Sequence, residues 1–391
     1  MSDLTDFHRQ ADRLQHWCKT ALKGWHETAC DPRGGFAEFR RPDGSPDFDH
    51  KRRVRVQFRL AYVYALAAHL GWYDNAKIAS DHAWDFATSA GFAGADHISG
   101  GADKGCAHMV AGDGSLLDPF RDSYAQAFII LAGAWRYRAF DSESALSTAQ
   151  ATLGFLNTHL LSPYGGWEEG LPLPKTPRRQ NPHMHLFEAM LALYEATQNP
   201  AYIKEARSIH RLFEAHFFDK SSGAVLEFFE HDWAPYEDGG PIEPGHMMEW
   251  AWLLSEYSRL SGTAQSDNIA ALYQGGMELG FNAKTAFLVD SCDFNGDPVS
   301  GTFRSWPQTE LVKASVSIAL SGDHNVIPNI TRTIERMFET YFATETSGGW
   351  HDKLDAEGQI IDGPMQSSTF YHIICMAAEV ERLQQALNAA A

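Results

Sequence analysis

Gln180-Asn-Pro-His-Met-His-Leu-Phe-Glu-Ala-Met-Leu-Ala-Leu-Tyr-Glu-Ala-Thr197 is a run of helix formers, apolar on nearly every side, entered through Asn181, His183 and His185. A helix that is apolar all round belongs inside a larger assembly rather than on a surface. Polar side chains gathered at one end of it place that end on a cavity.

The same pattern recurs along the chain. Gln57-Phe-Arg59, Asp122-Ser-Tyr124, Gly245-His246-Met-Met-Glu249, Trp306-Pro-Gln-Thr-Glu310 and Thr369-Phe-Tyr-His372 each lead into another apolar run. The markers Arg59, Tyr124, His185, His246, Glu310 and His372 stand 65, 61, 61, 64 and 62 residues apart. A fixed period decides the fold before any single motif does. Between the apolar runs lie amphipathic segments, at Phe7 to Thr28 and at roughly 76–90, 143–160, 200–217, 264–280 and 326–343. An amphipathic helix can keep one wet face outside, whereas its all-apolar partner must lie inside.

Six such hairpins predict an all-α fold, an (α/α)6 barrel, as a single domain spanning 1–391. An open solenoid would spread the six markers along a surface; closure brings them to one funnel. Gly34-Gly35-Phe36, Gly165-Gly166-Trp167 and Gly348-Gly349-Trp350 follow outer helices, with Ser222-Gly223 in the same place after the fourth. They predict helix stops followed by short β-hairpins at one end of the ring. The long loops 97–121, 164–181 and 230–246 have the length of functional lids.

The 32 basic and 50 acidic residues leave a net charge of −18, which disfavours nucleic acid and anionic membrane as partners. Five scattered cysteines without a CxxC pair, and a polar N-terminus without a signal-peptide core, predict a cytoplasmic protein. No run approaches the ~20 apolar residues of a membrane span.

Ring order fixes neighbours. His372 is expected near Arg59, and His185 near His246, with the two clusters facing each other across the funnel. Histidines, an arginine and a carboxylate around a pocket suit proton transfer next to a carbonyl, the arginine stabilising an enediolate oxygen. Glu249 lies three residues after His246, on the same helix face, where it could orient that imidazole or bind a hydroxyl. Tyr124, Trp250, Trp306 and Phe370 offer aromatic walls, although Trp250 and Trp252 serve equally well as core. Glu188 reads as a helix brace. Arg59 escapes the solvated basic run Lys51-Arg-Arg-Val-Arg55 by following it onto the apolar helix. His183 and His185 diverge on a helix, and no HExxH or Cys/His cluster, P-loop, GxGxxG or GxSxG is present. Neither a metal nor a cofactor is therefore expected.

Arg179-Gln-Asn-Pro-His-Met-His-Leu-Phe-Glu-Ala189, Pro244-Gly-His-Met-Met-Glu-Trp250, Ser305-Trp-Pro-Gln-Thr-Glu310 and Ser368-Thr-Phe-Tyr-His372 resemble the N-acylglucosamine 2-epimerase superfamily over essentially the whole chain. Gly348-Gly-Trp-His-Asp-Lys-Leu-Asp355 looks most like its D-mannose isomerase branch. The resemblance implies an (α/α)6 barrel and metal-independent sugar isomerisation. It places catalytic histidines at His246 and His372, and substrate contacts at Arg59, Asn181, His185 and Glu249. Tyr124, Trp306 and Glu310 join the expected substrate-binding set from the marker pattern. His183 adds a second imidazole beside His185, and either could touch sugar.

The expected function is interconversion of D-mannose and D-fructose through a cis-enediolate, in a monomer or homodimer acting on a small monosaccharide. His372 would carry the proton from C2 to C1, and His246, oriented by Glu249, would open the ring. A sugar 2-epimerase of mannose/glucose, cellobiose or N-acylglucosamine type is the alternative. A glycoside hydrolase on the same barrel would need two carboxylates, and only Glu249 and Glu310 stand among the markers. Mannose is expected rather than a phosphorylated sugar because no obvious phosphate cradle is present, although Lys175, Arg178 and Arg179 could form one.

Overall fold

The computed structural model describes residues 2–93, 101–174 and 177–390. Its twelve α-helices among those residues alternate between two rings. The outer ring is α1 (Ser2–Ala29), α3 (Ala76–Gly91), α5 (Glu143–Phe155), α7 (Pro200–Leu212), α9 (Ser266–Gly280) and α11 (Ile327–Glu339). The inner ring is α2 (Val54–His69), α4 (Ser123–Phe140), α6 (Asn181–Thr197), α8 (Pro244–Ser261), α10 (Ser305–Leu320) and α12 (Ser367–Ala390). Each inner helix packs on the next, and α12 packs back on α2, so the ring is the expected closed (α/α)6 barrel. The inner helices are buried nearly from end to end; Val54 to Ala67 of α2 holds one residue, Arg55, that is not fully buried. No described helix is long and apolar enough to cross a membrane.

The short strands include the expected local hairpins, such as Phe281–Asn282 with Phe287–Leu288 and Ser291–Cys292 with Pro298–Ser300. Others stitch neighbouring units together at the N-terminal end of the inner ring. Arg52–Arg53 pairs with Met109–Val110, Arg121–Asp122 with Gly170–Leu171, Arg178–Arg179 with Phe228–Phe229, and Phe303–Arg304 with Lys353–Leu354. Phe39–Arg40 pairs with Met365–Gln366 and closes the circle. The stretch Ala224 to Phe229 is therefore not one extended piece: Ala224–Val225 pairs locally with Phe218–Asp219, while Phe228–Phe229 reaches the previous unit. The reason is that each strand immediately preceding an inner helix has unpaired backbone groups that the next unit's loop satisfies.

The glycine turns have a sharper role than stopping helices. In four units the loop is clamped by a polar side chain in the first turns of an inner helix, Gln57, Gln126, His183 or Gln308. Gln57 bonds both the amide and carbonyl of Phe36, at 2.7 and 2.9 Å, and Gln308 does the same for Leu288, at 2.8 and 2.9 Å. His183 Nε2 accepts from the Trp167 amide at 3.0 Å. Gly166, at φ 65°, lies so close that a Cβ there would meet His183 Nε2 at 2.3 Å. A glycine is required on both counts.

Candidate active site

Because every inner helix starts at the same end, their first turns enclose a cavity of about 240 Å3. Arg59, Tyr124, Asn181, His185, His246, Glu249, Trp306 and His372 line it. These include every expected site residue except Glu310. His183 is not among them: it is the loop clamp, in phase with Gln57 and Gln308, which leaves His185 as the imidazole at the cavity. Trp250 and Phe370 are core rather than wall. Trp250 donates to Gln180 Oε1 at 2.8 Å, and Phe370 stacks on Trp25 and Trp350.

The two separate clusters expected from ring order are instead one continuous lining. Arg59 donates to the Tyr124 hydroxyl at 2.7 Å and to the Ser368 carbonyl at 3.3 Å. Its guanidinium lies over Phe128 and Tyr371, 4.2 and 4.9 Å from their centroids, and the His185 ring packs on Tyr124 and Phe128. His185 Nδ1 meets Glu188 at 3.1 Å, and Glu188 accepts from the Tyr371 hydroxyl at 2.6 Å, so Glu188 is a brace beneath the cavity floor. Burial and the nearby Arg59 hold the His185 pKa well below its usual value. Nδ1–H then donates to Glu188 and Nε2 remains an acceptor toward the cavity.

His246 and His372 both pack on Trp306, with ring centroids 5.1 and 5.5 Å from the indole. Each has a carboxylate behind its Nδ1. For His372 it is Glu310, at 2.8 Å. Glu310 is fully buried and also pairs with the Lys313 ammonium at 2.7 Å. Its expected place among substrate contacts is thus corrected: its oxygens are turned onto His372 and Lys313, behind the cavity wall. For His246 the carboxylate is Glu227, at 2.9 Å, which sits on a loop and also accepts from Gln180. Glu249, expected to orient His246, does not reach it. Glu249 Oε1 lies 4.0 Å from His185 Nε2, buried and with no hydrogen-bond partner among the described residues. A helix spacing of three aligns Cα positions, but the Glu249 side chain turns inward along the barrel axis while the imidazole meets the loop above.

The electrostatics of the two pairs diverge. Burial disfavours the charge on His246, yet Glu227 and Glu243 outweigh it and raise its pKa to about 10. Burial dominates at His372; despite Glu310, with Arg59 and Lys313 adding to the effect, its pKa falls to about 3. Burial and the neighbouring Glu310 push Glu249 up to about 8, so at neutral pH it is a protonated carboxyl able to donate a hydrogen bond. Titratable groups whose surroundings drive them apart are the mark of assigned acid and base roles. His246 has the protonation of an acid and His372 that of a base, with Nδ1–H given to Glu310 and Nε2 free.

Two groups bring three ligand-type atoms within 4.8 Å: Glu227, Glu243 and His246, and Glu249, Glu310 and His372. Each already contains a resident cation. Arg304 lies 3.5 Å from Glu243, and Lys313 lies 2.7 Å from Glu310. Arg178 and Arg179, two of the residues that could have formed a phosphate cradle, are engaged with the protein instead. Arg178 is buried over Trp233, bonded to the Trp167 and His231 carbonyls, and Arg179 forks onto Glu169; Lys175 lies outside the described residues. A larger cavity of about 440 Å3 at the opposite end of the ring has its arginines engaged, Arg138 with Glu195, Arg259 with Glu195 and Glu256, and Arg382 with Glu256 and Glu379. That end offers structural ion pairs rather than groups waiting for a substrate.

Glu227 and Lys313 escape a reading of the sequence based on the markers. Glu227 had a signal, though. The residue before each loop strand is titratable in every unit: Glu38, His108, Glu169, Glu227, Asp290 and Asp352. Lys313 had only its spacing of three from Glu310.

The model of the family described as N-acylglucosamine 2-epimerase (GlcNAc 2-epimerase) matches residues 34–376. A protein of Rhizobium meliloti (strain 1021) named mannose-6-phosphate isomerase is 34% identical over 389 residues, covering 96% of this chain and 98% of its own. A D-mannose isomerase of Thermobifida fusca is 25% identical, covering 83% of this chain and 82% of its own. Among solved structures, a D-mannose isomerase superposes with a TM-score of 0.83 at 21% identity, over 95% of this chain and 97% of that one, a likeness of fold. With the closed ring in agreement with these likenesses, the chain belongs to the N-acylglucosamine 2-epimerase family.

Proposed function

We propose that the chain, acting as one catalytic domain on a small monosaccharide, interconverts D-mannose and D-fructose. The observation that carries this reading is the pair of histidines of opposite protonation packed on Trp306 above one cavity. His246, as imidazolium, gives its proton to the ring oxygen as the C1–O5 bond opens, and recovers one from the O1 hydroxyl. His372 Nε2 removes the C2 proton of the open aldose. The electron pair moves into the C1–C2 bond and onto the carbonyl oxygen, where Arg59 stabilises the developing charge. The C2 hydroxyl proton passes to the O1 oxyanion across the cis-enediolate, and His372 returns its proton to C1, leaving the carbonyl at C2 and a hydroxyl at C1. The His185 Nε2 acceptor and the protonated Glu249 carboxyl fix hydroxyl groups.

No step in this scheme calls for a metal, and the resident Lys313 and Arg304 oppose a further cation beside either histidine. A hydrolase would need two carboxylates astride the scissile bond; Glu310 is withdrawn onto Lys313. The second reading, a 2-epimerase, is favoured by one feature: two histidines line one cavity, as reprotonation of C2 by a second group would demand. Incubation with D-mannose and identification of the first product separates the readings. Fructose supports the isomerase, glucose the epimerase, and no conversion overturns both for this sugar.

A further inference from the structure

The basic run Lys51 to Arg55 is not a solvated face. Arg52 is buried against Asp31, and Arg53 pairs with Glu38. Arg55, half-buried on the wall of the active-site cavity, has no hydrogen bond or ion pair to any described residue; its guanidinium lies only over the Tyr124 ring, 5.2 Å from the centroid. The opposing charge near it, Asp122, is already committed to capping α4 through the Tyr124 amide and lies 3.3 Å from His108. Arg53 and Arg59, both cations, lie close enough to disfavour its charge, as does burial. Holding a cation in a partly dry wall without a partner is costly. Such a group persists where a ligand supplies the missing charge.

The rest of the wall points the same way. Arg53, Arg55, Arg59, Arg304 and the His246 imidazolium line the cavity, and of the acidic residues lining it Glu249 is protonated. Glu38 offsets Arg53, Glu243 and Asp290 offset Arg304, and Glu227 offsets His246, so in a chain of net charge −18 the unbalanced positive charge at the cavity falls on Arg55 and Arg59. A cleft of one sign focuses its field on ligands of the other sign. A neutral sugar makes no use of the charge on Arg55.

We propose that the physiological substrate carries an anionic substituent on the end of the sugar away from C1 and C2, of the phosphate class, and that Arg55 binds it with Arg53 and Arg304 completing the rim. The identity of the sugar rests on the hexose reading above; the anion subsite does not. A guanidinium fork suits a phosphate oxygen pair better than an ammonium does.

The test is the ratio of kcat/KM for D-mannose 6-phosphate to that for D-mannose, which cancels any loss of folded enzyme. The wild-type ratio is expected well above one and to fall with added salt. Arg55→Met should lower it about 30-fold, and Arg55→Lys by less, in keeping with a charge-assisted bond of roughly 2 kcal/mol. A wild-type ratio at or below one, or an unchanged ratio in Arg55→Met, overturns the proposal. If neither sugar is isomerised, the hexose reading falls and the subsite is judged by calorimetric binding of inorganic phosphate: binding weakened by Arg55→Met supports it, and equal or absent binding overturns it. A 6-sulfonate analogue in the same assay distinguishes a phosphate dianion from a sulfonate as the group preferred.

Discussion

His246 and His372 share one local geometry at Nδ1 and differ at Nε2, where the Asn181 side-chain amide lies 2.9 Å from His246. Each gives Nδ1 to a buried glutamate, at 2.9 Å for Glu227 and 2.8 Å for Glu310, and each packs on the same indole. Their protonation is nevertheless opposite. The difference lies one shell further out. Glu310 shares its charge with Lys313, and Arg59 is also near, so His372 sees one anion and two cations. Glu227 has only a neutral amide from Gln180 on its second oxygen, and Glu243 adds a second anion. A histidine–carboxylate contact therefore does not by itself specify an acid or a base; the charge that neutralises the carboxylate does.

The largest effect expected is on the base. His372→Asn should lower kcat by about 10³-fold or more with the fold intact, since a positioned base contributes on that scale. Retention of more than a few per cent of the rate would remove His372 from that role. The acid should cost less, and in a distinguishable way. His246→Asn should slow turnover of closed-ring mannose about 10²-fold. It should recover much of this on an open-chain analogue that cannot cyclise, where His372→Asn stays inactive. Equal losses of the two variants on the analogue would favour a two-base epimerase.

Lys313→Met removes the charge that makes the two pairs differ. Without it the His372–Glu310 pair takes up a proton at higher pH. The base must be neutral to act, so the acidic limb of kcat/KM should move up by about two pH units. Lys313→Arg should restore most of the shift, and an unmoved profile would reduce Lys313 to a packing role. Glu227→Gln works on the other pair with the opposite sign. His246 must be protonated to act, and its raised pKa places the alkaline limb near 10. Loss of the Glu227 charge should bring that limb down by about two units. The smallest effect is expected from chelation: the rate should be unchanged after exhaustive EDTA, and a loss restored by a divalent ion would assign one of the two glutamate–histidine groups to a metal.

Much of this site was legible in the sequence because it is periodic. A marker every 61 to 65 residues at the start of an apolar helix names the inner ring and brings Arg59, Tyr124, His185, His246 and His372 to one cavity. Even the assignment of His183 to the loop clamp follows from phase, since it stands two residues before its marker as Gln57 and Gln308 do. The partners of the histidines were not legible in that way. Glu243 and Glu249 were the nearest carboxylates to His246 in sequence, three residues away on either side, and Glu227, 19 residues earlier on a loop, is the nearest in space.

The sequence by itself determined the six helical hairpins, their closure and the end of the ring that carries the chemistry. Helix periodicity and burial are local properties that each unit repeats. Only the tertiary structure decided which imidazole holds a proton, which glutamate stays neutral and which arginine of the Lys51 to Arg55 run is left without a partner. Those outcomes depend on charges brought together from four or more units in a low-dielectric interior, where the balance is set by distances that no single helix or loop contains.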